Sequence, residues 1–352
     1  YLALGASSNA ATSFMWTYYY FTCTNHFEEC FRLLMYFVQN PYFTEENTEK
    51  EKGIIAQEIN MYRDSPDYIV GMNAIDLLYH NNPIKNDIAG SVESIGAITA
   101  DTLKLCHRTF YHPSNMVITV VGDLDPEEIA ELVEEGFLGK TSSEAPKRIF
   151  DPEPPTVRGT EICTEMDVAM PLFSIAFKDS PCREMPGAVR GVGLPPEELV
   201  KREVAGTVAK NILFGHTSPF YETLYNQGLI NSEFYADYDI DHTYAMASLG
   251  GESPDPMQVK AFLQDYLIKT KKEGLDRESF ERIRNAASGK LLKRFNVPES
   301  LGKMFSVSFL QGVDPFDYFE AYGKISYNDV MSLFEEVYFG DMVTSVVKGR
   351  SV

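Results

Sequence analysis

The 352-residue sequence is short of positive charge, of cysteine and of any long apolar run. Lysine and arginine total 31 against 51 aspartates and glutamates, a net charge of −20. A surface this acidic repels a phosphate backbone, which argues against nucleic acid as a partner. The same charge either attracts cationic peptides or only keeps the chain dispersed in water. No stretch reaches the ~18 apolar residues that a helical membrane span needs, so none is expected. The five cysteines, Cys23, Cys30, Cys106, Cys163 and Cys182, are odd in number, scattered and without a Cys-x-x-Cys pair. That predicts reduced thiols in a cytoplasmic protein rather than a disulfide framework. Gly191-Val-Gly193 lacks the Gly-Lys-Ser/Thr that would complete a phosphate loop. No N-terminal stretch reads as a secretory signal, and the sequence opens on Tyr1 rather than Met, so an upstream segment is expected.

What is present is an ordinary globular composition, 44% hydrophobic and 23% charged, at a length that suits two domains. Residues 141–160 hold Pro146, Pro152, Pro154 and Pro155, a density that breaks helices and marks an extended connection. This predicts a domain over 1–145, a linker over 146–158 and a second domain over 159–352. Asp179 to Glu197 reads as a loop inside the second half. Trp16 to Thr24 is aromatic and β-branched and predicts a strand. Phe27 to Phe37 has helical spacing. Thr44 opens a long charged helix that runs to about Arg63, and Thr99 caps another through about Tyr111. Asn115 to Gly122 predicts a strand, and Asp125-Pro126 starts a further helix. Tyr1 to Gly5 reads as the tail of a helix ended by glycine. The mixture predicts an α/β or α+β fold.

An internal repeat organises these elements. The segment from Gly96 aligns with the segment from Gly323: Ile98 falls on Ile325, Thr99 on Ser326, Leu103 on Val330 and Tyr111 on Tyr338, and with one gap Met116 falls on Met342. The segment from Phe43 aligns without gaps with that from Leu275, Pro66 on Pro298. The near-constant offset predicts two copies of one architecture. The second copy starts near Gly159, which puts the start of the first roughly 70 residues before Tyr1. The first copy is thus expected to lack its opening strands and first helix.

The copies differ in charge. On the helix from Thr44, the row Ile54, Glu58, Tyr62 predicts a carboxylate within an apolar stripe, with Glu51 two turns earlier. Such a carboxylate is costly unless paired, protonated or bound to a cation. The second copy has Lys290 for Glu58 and Ile283 for Glu51. Either Glu58 is part of a site kept by copy one alone, or it lies at the stripe's edge in a salt bridge.

Three segments, GASSNAATSF (Gly5–Phe14), EKEKGIIAQEINMYRDSP (Glu49–Pro66) and ITADTLKLCHRTFYHPSNMVITVVGDLDPEE (Ile98–Glu128), resemble the pitrilysin/insulinase family of zinc peptidases, in particular its short bacterial members. The resemblance spans nearly the whole chain. It implies an α+β fold of two similar domains, each a mixed, mostly antiparallel sheet covered by helices, facing each other across a chamber that hydrolyses peptides or unfolded segments. Zinc in this family is held by an inverted His-x-x-Glu-His motif and a later glutamate, with one position open to water. Glu58 matches that glutamate as third ligand, and Glu51 matches a supporting carboxylate. Asn9-Ala10 matches an edge strand that pairs with peptide substrates. No His-x-x-Glu-His occurs in these 352 residues, and family spacing places it upstream of Tyr1. The chain by itself is therefore expected to be inactive and without catalytic zinc. His26-Phe-Glu-Glu29-Cys30 imitates the motif but follows the strand instead of preceding it. The remaining histidines, His80, His107, His112, His216 and His242, are scattered and expected to be structural or exposed. In the second half, Tyr225 stands where the family often has a substrate-contacting arginine, and Asn231 roughly where it has a tyrosine. That departure implies a working pair of subunits, a homodimer or a heterodimer with a paralogue. The alternative is a non-catalytic partner or structural subunit on the same fold.

Overall fold

The computed structural model describes residues 1–137, 146, 149, 151–179 and 194–350. A 3₁₀ turn, Leu2–Leu4, is closed by Gly5 at φ 68, the left-handed position that glycine takes most easily. Strands β1 (Ser7–Thr12) and β2 (Thr17–Thr22) follow. Next come helices α1 (Phe27–Gln39), α2 (Glu45–Arg63), α3 (Pro66–Leu78), α4 (Val92–Gly96), α5 (Ala100–Phe110) and α6 (Pro126–Gly136). Strands β3 (Glu161–Met166) and β4 (Leu172–Asp179) precede α7 (Pro196–Phe214) and α8 (Pro219–Asn226). A hairpin of β5 (Tyr235–Asp241) and β6 (Tyr244–Glu252) leads to α9 (Pro256–Glu273), α10 (Arg277–Arg294), α11 (Pro298–Leu310), α12 (Asp317–Lys324), α13 (Tyr327–Tyr338) and β7 (Met342–Gly349).

The expected helix starts are found with their caps. Thr44 Oγ1 accepts from Asn47 N, Thr99 Oγ1 from Thr102 N, and Asp125 Oδ1 from Glu127 N. The strand expected over 115–122 is not formed. Asn115 ends a 3₁₀ turn, Pro113–Asn115, and residues 116–121 pair with no described strand, because β1 and β2 pair only with each other. β propensity without a partner gives no ladder. Most of the loop expected from Asp179 to Glu197 lies outside the described residues, but Asp179 itself ends β4 and Pro196 begins α7.

The chain divides into two compact units. One comprises Tyr1–Asn60, Asp87–Arg148 and Arg294–Leu310; the other comprises Met61–Asn86, Ile149–Lys293 and Gln311–Val352. The repeat accounts for this interleaving. In copy one α2 turns at Pro66 into α3, and in copy two α10 turns at Pro298 into α11; the paired helices have 19 and 18 residues, then 13 and 13. Yet α3 belongs to the second unit and α11 to the first, so the copies exchange equivalent helices.

In the first unit β1 and β2 form an antiparallel hairpin from Ser7↔Thr22 to Thr12↔Thr17. Alternation sends Tyr19 and Phe21 to one side, against Phe37, Tyr111 and Phe27. On the other side Lys303 of α11 stands over the rings of Trp16 and Tyr18, at 5.2 and 5.8 Å.

In the second unit a five-stranded sheet has the order β3-β7-β4-β6-β5, parallel only between β3 and β7. The central strand β4 is buried along its whole length. Its Phe173, Ile175 and Phe177 enter the main core with Leu213, Phe220, Phe334 and Val337 from the helices. Each such side chain stabilises the unit by about 1.5–3 kcal/mol. Leu172 and Ala176 face the other way, beneath α3, where Val70, Ala74, Leu77 and Leu78 close the second face. The proline-rich segment 151–158 has no helix or strand and is tied down by Glu153, whose carboxylate accepts from the backbone N–H groups of His80, Asn81 and Asn82.

Candidate metal and peptide site

Helix α2 carries the two carboxylates singled out by the sequence. Its covered row is Thr48, Lys52, Ile55, Ile59 and Tyr62, spaced by alternating steps of four and three, with Ile59 only 1% exposed. Glu51, Ile54, Glu58 and Met61 form the next row, also on one face, and all four are exposed. Ile54 is 51% and Met61 59% exposed, which is unusual for apolar side chains in the middle of a helix. Among the described residues the row of Ile54 and Glu58 is exposed, one column away from the covered one. The second copy differs as expected in type and also in burial. Ile283, opposite Glu51 in the repeat, is buried at 8% exposure, while Lys290, opposite Glu58, is exposed.

Asn9 and Ala10 lie in the middle of β1. Among the described residues each pairs on one side only, Asn9 with Tyr20 and Ala10 with Tyr19. The free edge of β1 presents unpaired backbone groups, the arrangement to which an extended peptide adds as a further strand. Asn9 Oδ1 accepts from Ala10 N at 2.8 Å.

Tyr225 and Asn231 belong to the second unit. Tyr225, near the end of α8, is half exposed, and its ring stacks on Tyr221 at 5.5 Å with planes 16° apart. Asn231 is held by its neighbours: Nδ2 donates to Glu252 Oε2 at 2.7 Å, and Oδ1 accepts from Glu233 N at 2.9 Å. Tyr225 therefore presents a free aromatic face where Asn231 presents a committed amide.

Two carboxylates on one row can supply one ligand and one supporting group, but not a complete zinc site. Among the described residues no three His, Cys, Asp or Glu side chains come together as a metal site, and a catalytic zinc needs three protein ligands. His26 is tied to Glu29 at 3.2 Å and does not join a metal-ligating group. His107 contacts the Val38 carbonyl, and His242 lies between the carbonyls of Leu194 and Gln311, structural placements of the kind expected. Ile54 and Met61, which flank the carboxylates on the open row, were not singled out by sequence reasoning, although their spacing of three and four from Glu58 was legible.

Comparison with known proteins places the chain in a family. The chain matches two family models, "Insulinase (Peptidase family M16)" over residues 2–92 and "Peptidase M16 inactive domain" over residues 97–287. A crystal structure described as an M16-like peptidase from Alicyclobacillus acidocaldarius superposes with a TM-score of 0.91 at 34% identity, covering 99% of this chain and 81% of that one. A peptidase M16 inactive domain from Pseudomonas fluorescens shares the fold at a TM-score of 0.79 and 15% identity, covering 100% of this chain and 82% of its own. The Bacillus subtilis (strain 168) protein named uncharacterized zinc protease YmfH is 36% identical over 342 residues, 97% of this chain and 77% of its own length. The fold is that of M16-like peptidases, and the chain belongs to peptidase family M16, the insulinase family.

Proposed function

We propose that the chain serves zinc-dependent hydrolysis of peptides or unfolded segments, with Glu58 as the carboxylate ligand of the zinc, Glu51 as its supporting carboxylate and the free edge of β1 around Asn9 and Ala10 as the strand on which the peptide lies. The observation that carries this reading is the pair of carboxylates Glu51 and Glu58 on one face of α2, set against Ile283 and the cation Lys290 at the matching positions of the second copy. A pair of carboxylates present in one copy, and replaced by an apolar residue and a cation in the other, is accounted for by a ligand that only one copy serves. The two histidine ligands of the family's inverted motif are not among these 352 residues, so this chain alone does not complete the site.

Tyr225 and Asn231 match positions at which family members often contact substrate, and without the family's arginine and tyrosine there that contact calls for a second subunit, identical or paralogous. The division into 1–145 and 159–352 joined by 146–158, and a cytoplasmic setting, belong to the same reading. No helix among the described residues is long and apolar enough to cross a membrane.

The test is zinc content and cleavage of a fluorogenic peptide by the protein from its native source, with and without Glu58→Gln. The expected result is loss of bound zinc and a fall in cleavage of at least ~100-fold, the upper range for weakening a metal's surroundings. Full zinc and full activity in the variant would remove Glu58 from the site. A second reading, a subunit without catalysis, is favoured by the match to the inactive-domain family over residues 97–287. It predicts that no zinc is bound in either form.

A further inference from the structure

We propose that the backbone N–H groups of His80, Asn81 and Asn82, together with Lys178, form a preorganised receptor for a carboxylate anion, and that Glu153 fills it in cis, so that the connection between the two copies closes as a latch. Four donors converge on one carboxylate. Oε1 of Glu153 accepts from His80 N at 2.8 Å and from Lys178 Nζ at 2.6 Å, while Oε2 accepts from Asn81 N at 2.7 Å and from Asn82 N at 2.8 Å. The three N–H groups follow Tyr79, the residue that caps the end of α3, and Lys178 lies in β4. Three consecutive N–H groups turned to one point make an anion-binding concavity. Around Glu153 the latch adds Asn81 Nδ2, which donates to the Pro152 carbonyl at 2.8 Å, and the further bonds of Lys178 Nζ to the carbonyls of Pro154 and Thr156.

The receptor is held in shape by bonds that do not involve Glu153. The Tyr79 hydroxyl donates to the Ala245 carbonyl at 2.9 Å, and Asn82 Nδ2 donates to the Thr243 carbonyl at 2.9 Å, so the loop is fastened to the β5–β6 hairpin. Asn82 Oδ1 accepts from Ile84 N at 3.1 Å and closes the loop's own turn. Lys178 is fixed by its strand, opposite Met246 of β6. Its side chain is only 1% exposed, against 17% for Glu153. Taking the carboxylate away therefore leaves three oriented N–H groups and a buried ammonium without their acceptor, and an unpaired buried charge is costly. An anion that enters from solvent relieves that cost. The donors also select its class: they fall into two pairs, one for each oxygen of a planar carboxylate, and a spherical halide cannot serve both pairs at once.

Glu153→Ala tests this directly, because it deletes one methylene group and the carboxylate, the atoms that acetate supplies. Thermal unfolding of the variant is followed at neutral pH in sodium acetate and in sodium chloride at equal concentration, beside the wild type and Glu153→Gln. The midpoint of Glu153→Ala, lowered relative to the wild type, should rise with acetate to a plateau and exceed its response to chloride. The wild type and Glu153→Gln, whose own side chains fill the receptor, should respond to the two salts alike. Hydrogen exchange at the amides of His80, Asn81 and Asn82 should be faster in Glu153→Ala and slow again in acetate, which places the anion at the loop. If Glu153→Ala does not fold in chloride, the readout is recovery of its circular dichroism in acetate. Equal behaviour of Glu153→Ala in the two salts, folded or unfolded, or an acetate effect of the same size in the wild type, would overturn the proposal.

Discussion

Asp179 and Arg202 form a two-pronged ion pair in the second unit, Nε to Oδ2 at 2.8 Å and an NH2 group to Oδ1 at 2.7 Å, with Tyr238 donating its hydroxyl to the same Oδ2 at 2.6 Å. The side chains of Asp179 and Arg202 are only 3% and 13% exposed. Burial works against the Arg202 charge, but Asp179 more than offsets it and holds the guanidinium firmly protonated. Removing Asp179 leaves the largely buried Arg202 guanidinium with only Glu336, 3.0 Å from its NH2 group, to balance it. Asp179→Asn should therefore destabilise the protein by about 3–5 kcal/mol, read as a lower urea midpoint. Replacing both by apolar residues of similar volume should recover most of that loss. Equal losses for the single and double variants would show that the pair itself, and not its half-removal, sets the cost.

Glu153 and Lys178 form a second buried pair at 2.6 Å, and Lys178 Nζ also donates to the carbonyls of Pro154 and Thr156 at 2.8 and 2.9 Å. Burial pushes the Glu153 carboxyl up, but the Lys178 ammonium and three backbone N–H groups outweigh it and hold it below its ordinary 4.5. A carboxylate favoured in the folded state contributes stability that is present above pH 4.5 and lost as pH falls below it through the folded value. Lys178 is shifted the other way: burial lowers it, more than its contacts with Glu153 raise it. Its contribution therefore changes only on the alkaline side, and within this pair the acid side belongs to Glu153. Glu153→Gln should flatten the fall in stability below pH 4.5, measured by urea unfolding at a series of pH values. An unchanged acid limb would show that Glu153 does not set it.

The sequence made the helices legible because their starts are local. Thr44, Thr99 and Asp125 each satisfy a backbone N–H within three residues, and that chemistry needs no tertiary partner. The repeat was legible for a similar reason, since Pro66 and Pro298 mark the same turn in both copies. The run expected as a strand at 115–122 corresponds in the repeat to β7, which pairs with β3 and β4, the opening strands of copy two; no such strands stand beside 116–121 among the described residues, so no ladder forms there. The exchange of α3 and α11 between units was invisible because it depends on neighbours far away in sequence. At the candidate site the residue types Glu51 and Glu58 were readable, but the side of α2 they occupy was not. Ile54 and Ile55 are both apolar, and only packing decides which of their rows is covered.

That choice of row can be tested by stability alone. Ile283 stands in the covered position where the first copy has exposed Glu51. Ile283→Glu places an unpaired carboxylate against Phe280 and the core of the second unit, and should cost at least ~3 kcal/mol. The converse change, Glu51→Ile, replaces one exposed side chain by another and should alter stability by no more than about 0.5 kcal/mol. Thermal unfolding of both variants gives the comparison. Similar losses in the two would mean that the copies bury this position alike.

Gly206, in the middle of α7, shows how closely the helix approaches the sheet. A Cβ built there would lie 2.1 Å from Cδ1 of Tyr238, and the ring's neighbouring atoms follow at 2.4 and 2.5 Å. Tyr238 cannot simply swing away, because its hydroxyl is bound to Asp179 and its ring belongs to the main core. Gly206→Ala should thus destabilise by about 1–3 kcal/mol through overpacking, although alanine is the better helix former by roughly 1 kcal/mol. Tyr238→Ala alone should also destabilise, by opening a cavity and removing a donor from Asp179. Combined, the two changes relieve each other, since the methyl group enters the space the ring has left. The double variant should be more stable than the sum of the single losses by at least ~0.5 kcal/mol. Strict additivity would mean that the ring already moves aside without cost in Gly206→Ala, and that Tyr238 is not held by Asp179 as the geometry requires.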